Sequence, residues 1–473
     1  MTSDLCPYPE YKESGLPWLG KVPTHWDVHR AKYLFRCIDV RSTTGFEELL
    51  SVSAERGVVP RSSMKVTMFK AESYIGHKLC WPNDLVINSL WAWARGLGFT
   101  KHHGIISSAY GVYRLRPGFE RYADFINHLV RSAAFHWELR VRSRGVWTSR
   151  LQITDDAFLG TAIPLPSPEE SDAIVRFVTL MDSRVNRFIR NRLRHIEVLN
   201  EQKQAVINQA VTRGLDPNVR LKPSGIEWLG DIAAHWEVRR IKNIAKIIRG
   251  KFSHRPRNDP NLYDGDFPFI QTGDVARASK YITKYKQTLN KKGYAVSKEF
   301  PKGALTMTIA ANIGDVAILD FTACFPDSIV GFVPKKGIFL DFLFYLFSAM
   351  KKEFLKIAPV NTQGNLNIER IGSMSVAVPD YETQQCIVAT IESESKIING
   401  PISRNQQEID LIQEYRTRLI TDVVTGKVDV RHLSAEIEEE LGEPLGLDEI
   451  IDDGEPLEDE EPESDEEVKD ADD

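Results

Sequence analysis

A Trp-rich phrase occurs twice in this chain. "SGLPWLGKVPTHWDVHRAK" begins at Ser14, and "SGIEWLGDIAAHWEVRRIK" begins at Ser224, 210 residues later. Residues 11–36 aligned with residues 221–246 give eleven identities in 26 positions, with two tryptophans among them. A second pair of phrases, "PSPEESDAIVRF" from Pro166 and "PDYETQQCIVAT" from Pro379, stands at an offset of 213, as do "AVTRGLD" from Ala210 and "VVTGKVD" from Val423. Two offsets only three residues apart make the chain one duplicated unit, so any fold must be reachable twice from related sequences.

Each copy contains a long helical stretch. Between Pro168 and Gly214 lie 45 residues without Gly or Pro, with apolar residues at Ile174, Val178, Met181, Val185, Phe188, Ile196, Leu199 and Val206. Steps of three and four, or their sums, form the apolar stripe of one helix. At about 1.5 Å per residue it would reach roughly 65 Å. The second copy, Glu382 to Thr425, has its stripe at Ile387, Ile391, Ile398, Ile409, Ile412, Tyr415 and Leu419. Gly400-Pro401 is expected to kink or break it, because proline removes one helical bond and its ring crowds the preceding turn. Helices this long need a partner, and the simplest is the other copy.

The remaining stretches contain short β-like runs such as "DLVINSL", "YGVYRLRP", "ALTMTIA", "DVAILDF" and "SIVGFVP" between turn residues, which predicts compact α+β domains with mostly antiparallel sheets. The expected boundaries are 1–166 and 216–380 for two domains, 167–215 and 381–430 for two helices (the second interrupted near 400–401), and 431–473 for an acidic tail. After the first helix the chain runs straight into the second Trp phrase. After the second it enters the tail, and the matching continuation stands at the N-terminus. One junction is thus continuous and its twin is split, which predicts a closed arrangement in which the two chain ends meet. Trp18, Trp26, Trp228 and Trp236 are expected to be packing anchors at these junctions.

Charge divides sharply along the chain. The formal net charge is −6, yet residues 434–473 hold 21 acids and one Lys, leaving 59 basic and 45 acidic residues in the first 433. The cationic body is the footprint expected of a nucleic-acid binder. The tail has no aromatic residue and is expected to be disordered. Five cysteines form no CxxC pair, which fits a reduced, cytoplasmic setting. The longest apolar run, Phe342 to Met350, is about half a membrane span.

The paired Trp phrases, the helix-ending "VTRGLD" and "VTGKVD", and "TQGNLN" with the following "MSVAVP" resemble the specificity subunit of type I restriction-modification enzymes, from Tyr11 to about Arg431. The resemblance implies an α+β protein with two pseudo-twofold-related α/β target-recognition domains, separated by two long antiparallel helices and followed here by the acidic tail. It also implies that each domain reads half of a split double-stranded DNA sequence. Two methyltransferase subunits would dock on the helices and motor-nuclease subunits would join them, with no cofactor bound by this chain. Gly400-Pro401 and the tail depart from the family pattern.

Candidate DNA contacts follow from the basic and polar loops. Residues 239–257 carry eight Lys or Arg and no acid; Arg249, Lys251, His254, Arg255 and Arg257 are expected there, arginine because its planar fork matches guanine O6 and N7. Lys280, Lys284 and Lys286 suit phosphate or plain surface. Gln271, Thr272, Asn312, Gln363 and Asn365 are of the type that reads adenine edges. In the first domain the candidates are Arg95, Lys101, His102 and His103, with Arg140, Arg142, Arg144 and Arg150. These alternating arginines would equally suit the solubilising face of an edge strand. A metal at His102-His103 is not expected, since no third ligand lies at a recognisable spacing. An autonomous nuclease or methyltransferase is the rival class. The Asn/Asp-Pro-Pro-aromatic motif, a Gly-rich cofactor loop in context and GxxxxGK[ST] are all absent. Pro379-Asp380 with Glu394-Ser395-Lys396 is nuclease-like only in order, because its acids fall on a predicted helix. A scaffold without DNA contact is disfavoured by the cationic body.

Overall fold

The structure is a computed structural model that describes residues 5–64, 73–145, 151–254, 259–310, 312–358 and 366–433. Two compact units partition the chain, one of residues 1–191 with 408–473 and the other of residues 192–407. The first long helix, Pro168–Arg213, and the second, Tyr381–Val424, each contribute one half to each unit. Pro168 suits a first turn, where its missing N–H has no helical acceptor, and Glu169 and Glu170 face the positive end of the helix dipole. Both helices end at a glycine in the left-handed region, Gly214 at φ 85° and Gly426 at φ 76°.

The second helix runs unbroken through Gly400-Pro401, contrary to the expected interruption. Pro401 and Ile397 are exposed, so the carbonyl deprived of its helical donor faces water. The buried Asn405 donates from Nδ2 to the Pro401 carbonyl at 2.8 Å. One lost bond in a 44-residue helix is outweighed by the packing of its apolar stripe. Pro401→Ala restores that bond and is expected to raise stability by about 1–3 kcal/mol, read as an increase in Tm by calorimetry.

In the first unit, Tyr11–Glu13 pairs with Lys21–Pro23, and Asp27–Arg30 pairs with Ala162–Leu165. A four-stranded antiparallel sheet is built from β1 (Phe35–Cys37), β2 (Asp84–Ile87), β3 (Leu97–Phe99) and β4 (Gly111–Leu115), in the order β1-β4-β2-β3. Helix α1 (Ala123–Val130) buries Phe125, Ile126, Leu129 and Val130 in the main core, and α2 (Ala133–Arg142) follows it. The second unit repeats the plan. Leu221–Pro223 pairs with Asp231–Ala233, and Glu237–Arg240 with Ser375–Val378. Its sheet comprises β5 (Ala245–Arg249), β6 (Tyr281–Ile282), β7 (Leu305–Thr308), β8 (Val316–Leu319) and β9 (Ile329–Pro334), in the order β5-β9-β7-β8-β6. The order of β5, β9, β7 and β8 reproduces that of β1, β4, β2 and β3. Strand β6 is an addition, parallel to β8. Helix α3 (Thr272–Arg277) caps a loop. Helix α4 (Leu340–Ala349) buries the "FLFYLF" run in the core, which accounts for that apolar stretch.

The Trp phrases sit where each long helix ends. A β-carbon on Gly426 would lie 3.2 Å from Trp26, and one on Gly214 would lie 3.2 Å from Trp236. Trp26 and Trp236 are 0% and 1% exposed, while Trp18 and Trp228 are partly buried against the two cores. The split junction is closed within the first unit. Asp429 N–H donates to the Cys6 carbonyl at 2.8 Å, Tyr11 Oη donates to the Lys427 carbonyl at 3.0 Å, and the Arg431 guanidinium lies 5.1 Å from the Tyr8 ring centroid. The acidic tail from Ser434 lies outside the described residues.

Candidate nucleic-acid interface

In the second unit the basic stretch begins at Arg239 and Arg240 in the strand paired with Ser375–Val378, passes through a four-residue helical turn, Ile241–Ile244, and continues as edge strand β5. Beyond the strand, exposed and buried residues alternate. Arg249, Lys251 and Ser253 face solvent, while Gly250 and Phe252 are buried. The backbone beneath them is fixed: Gly250 N–H donates to Ile329 O at 2.9 Å, Lys251 N–H to Phe325 O at 3.0 Å, and Ser253 N–H to Val296 O at 3.1 Å. Only glycine fits at 250, since a β-carbon would lie 1.9 Å from the Pro326 carbonyl oxygen. Arg249 and Lys251 are therefore two exposed cations projecting from an immobilised backbone, the arrangement that places charge against a phosphate with little ordering cost.

His254 is half-buried beside Asp259, with Nε2 3.1 Å from Oδ2. The Asn261 backbone N–H, then the Asn261 side chain and His254, hold the Asp259 carboxyl below its ordinary range. Arg255 and Arg257 lie outside the described residues, as do Gln363, Asn365 and Arg150. Lys242, Lys246 and Lys335 line a shallow groove with Ile247, Val333 and Pro334. Lys335 belongs to this basic face although it is distant in sequence, because β5 and β9 are neighbours. A run of two lysines after "VGFVP" is the local signal that would have found it.

Several predicted contacts are already engaged inside the unit. Lys280 forms ion pairs with Asp341 and Glu392 and lies over the Tyr281 and Tyr345 rings. Burial opposes its charge, but the two carboxylates prevail and raise its pKa. With two anions on it, Lys280 offers a phosphate little free charge, and its role is to join β6 to α4 and the second long helix. Gln271 precedes α3; its backbone N–H donates to Asp274 Oδ2 at 2.9 Å and its Nε2 to Gln287 Oε1 at 2.9 Å. Its amide edge is therefore occupied by a neighbour. Thr272 is half-buried in the first turn of α3, Asn312 is exposed in the β7–β8 turn, and Lys284 and Lys286 are exposed.

In the first unit the candidates fall into two groups. Lys101 and His103 are exposed and His102 is half-buried. The His103 ring stands 5.1 Å from that of Trp81, over which the Arg114 guanidinium also lies. Arg114 is held by a bidentate pair with the buried Asp84, at 2.7 and 2.8 Å, and the hydrogen bonds to that carboxylate raise its pKa. Arg140 and Arg142 do not lie on an edge strand, whereas Arg144 makes an isolated antiparallel bridge with Gln152. Residues 133–142 are helical, so Arg140 and Arg142 point to different sides. Arg142 pairs with Glu138, and Arg140 and Arg144 are exposed. Arg95 adopts φ 65° and lines a groove of mixed charge with Ala133, Arg418 and Lys427 and with Asp410, Glu414 and Asp422. Among the described residues no cluster of His, Cys, Asp and Glu could hold a metal ion, and no helix is long and apolar enough to cross a membrane.

The class of protein is carried by the duplicated sheet-and-helix plan. Its likeness to known proteins narrows the family. Residues 234–410 match the family of the type I restriction modification DNA specificity domain. The chain is 26% identical over 290 residues to the type I restriction enzyme MjaVIII specificity subunit of Methanocaldococcus jannaschii, covering 59% of this chain and 64% of that protein. It is 25% identical over 272 residues to the putative MjaX specificity subunit of the same organism, covering 57% of this chain and 60% of the relative. These matches span less than two thirds of either relative. A solved chain from a study of complex assembly and conformational transition in a type I R-M system aligns with TM-score 0.57 and 16% identity, over 85% of this chain and 98% of that one. That likeness is one of fold. The chain is similar to the type I specificity subunits, and most of the stretch that matches the DNA specificity domain family lies in its second unit.

Proposed function

We propose that this chain is the non-catalytic DNA-recognition subunit of a type I restriction-modification complex, reading a bipartite, asymmetric double-stranded target with one half-site per unit. The observation that carries the reading is the duplication: two sheets of the same strand order whose connecting loops have diverged. Related frames with different loops suit two different half-sites better than one symmetric target. Two methyltransferase subunits dock on the duplicated long helices and motor-nuclease subunits join that core, with methyl transfer and cleavage carried out by those partners. No cofactor is assigned to this chain. Arg249, Lys251 and the Lys242–Lys335 face supply the cationic surface of the second unit; Arg95, Lys101, His102, Arg140 and Arg144 supply that of the first.

The test is methylation mapping of DNA from a host expressing this chain with its methyltransferase. The expected result is one motif with two unlike half-sites at a fixed gap. A palindromic or continuous motif, or methylation unaltered when this chain is deleted, would overturn the reading.

A further inference from the structure

Helix α2 leaves an apolar and basic face uncovered. Trp137 is 48% exposed and Val141 is 60% exposed, and as residues i and i+4 they share one side of the helix. Arg140, at i+3 from Trp137, belongs to that side, and Arg144, two residues past the helix end and bridged through its backbone to Gln152, is the first cation beyond the helix. Both arginines are exposed. Leu90, 43% exposed, borders the turn of residues 92–94 that packs on α2, where the His136 ring meets the Trp93 carbonyl. An exposed tryptophan flanked by aliphatic side chains and arginines is a surface that gains from being covered by something both apolar and acidic.

The chain carries such a segment close by. Residues 437–451 contain six acids and no base, interspersed with Ile437, Leu441, Leu445, Leu447, Ile450 and Ile451. Apolar residues recur every few positions with glutamates between them, the complement of the Trp137-Arg140-Val141-Arg144 stripe. The described chain reaches Leu433 within the first unit. Six residues earlier, Lys427 lines the groove that also contains Ala133, the first residue of α2. From Ala133 to Val141 the helix advances about 12 Å, and the eight residues from Leu433 to Leu441 span about 26 Å when extended. The six residues back to Lys427 add at most about 20 Å to that path, and the eighteen residues from Leu433 to Ile451 span about 59 Å when extended, so the segment is long enough to lie along the α2 face.

We propose that the acidic, aliphatic segment Ile437–Ile451 of this chain docks in cis on the α2 face formed by Trp137, Arg140, Val141 and Arg144. Its aliphatic side chains cover Trp137 and Val141, and its carboxylates pair with the two arginines. Contacts of this kind are rim-exposed ion pairs around a small apolar centre, so docking is reversible and weakens with salt. It withdraws Arg140 and Arg144 from any other anion while it lasts. Docking is independent of whether that other anion is DNA.

The full-length protein with p-benzoyl-phenylalanine in place of Leu441 tests this by photo-cross-linking and peptide mapping. The expected product is an intramolecular cross-link into residues 133–145 whose yield does not change with protein concentration. It is expected to fall at least about threefold in a Trp137→Ser/Val141→Ser background, whose substitutions lie on the exposed side and leave the fold intact. Cross-links spread over other surfaces, or formed only between copies or with another protein, would overturn the proposal. Hydrogen exchange of the α2 amides gives a second reading without a cross-linker. Exchange is expected to be at least about threefold slower in the full chain than in an Ile437→Ser/Leu441→Ser/Leu445→Ser variant, and equal rates would also overturn it.

Discussion

Trp26→Ala is expected to lower the unfolding free energy of the first unit by about 3–5 kcal/mol, the cost of emptying a fully buried aromatic position. Three losses combine. The indole is 0% exposed, so its removal leaves a cavity beside Phe125 and Tyr8. Its Nε1 donates at 3.0 Å to Glu170 Oε1, and Glu170 is itself buried, with His25 2.7 Å from its other oxygen. Losing the indole takes a donor from a buried carboxylate, which costs more than the net worth of the bond. The ring also supports Gly426, where a β-carbon would lie 2.5 Å from Pro23 and 3.2 Å from the indole. Urea denaturation of the full chain, followed by a probe confined to each unit, measures the effect. Trp236→Ala is expected to act comparably on the second unit, and Trp18→Ala less because that ring is partly exposed. A loss below about 1 kcal/mol for Trp26→Ala would show that the repeated tryptophans do not anchor the helix ends.

The second large effect concerns binding. On the proposed function, Arg249→Gln with Lys251→Gln is expected to weaken DNA binding by this chain together with its methyltransferase by about 10- to 1000-fold near physiological salt. Both side chains are exposed on a backbone held by bonds to residues 325 and 329, so the substitutions remove charge without disturbing packing. Two lost phosphate contacts would flatten the dependence of log affinity on log salt by nearly two units of slope. If Arg249 instead reads a base, the slope falls by about one and the methylated motif relaxes at one position. Binding titrations at several salt concentrations separate these cases, and an unchanged affinity and slope would remove both residues from the interface. Lys280→Gln makes the contrast, because its charge is engaged by Asp341 and Glu392. That variant is expected to lose stability while its salt slope stays unchanged.

Much of the frame was legible in the residues because it depends on periodicity and repetition. Both long helices announced themselves by apolar steps and the first also by the absence of Gly and Pro, and the observed spans are Pro168–Arg213 and Tyr381–Val424. The meeting of the two ends followed from a phrase present at one junction and split at the other. Gly400-Pro401 does not break the second helix, because burial along the rest of the stripe outweighs proline's local penalty. "LRVRSR" misled because alternation alone does not distinguish a strand from the end of a helix whose core contacts are Phe135 and Leu139. The fate of individual polar side chains was the least legible. Lys280 meets carboxylates 61 and 112 positions away, and Gln271 meets an amide 16 positions away. Such partners are set by sheet order, which no local window contains.

The closure at Cys6 and Asp429 bears on how the protein is made. Residues 192–407 form a contiguous unit, whereas the other unit joins residues 1–191 to those from Glu408 onward. Val423, Val424 and Val430 are wholly buried in the core that contains Trp26 and Phe125. On a ribosome delivering about 5–20 residues per second, the first-made domain must wait tens of seconds for the helix end that completes its core. The later-made unit has all of its parts once Gln407 emerges. Synthesis therefore runs against the usual order: the N-terminal half begins first and is the last to be finished, its unpaired core surface exposed to chaperones or to premature association throughout the interval.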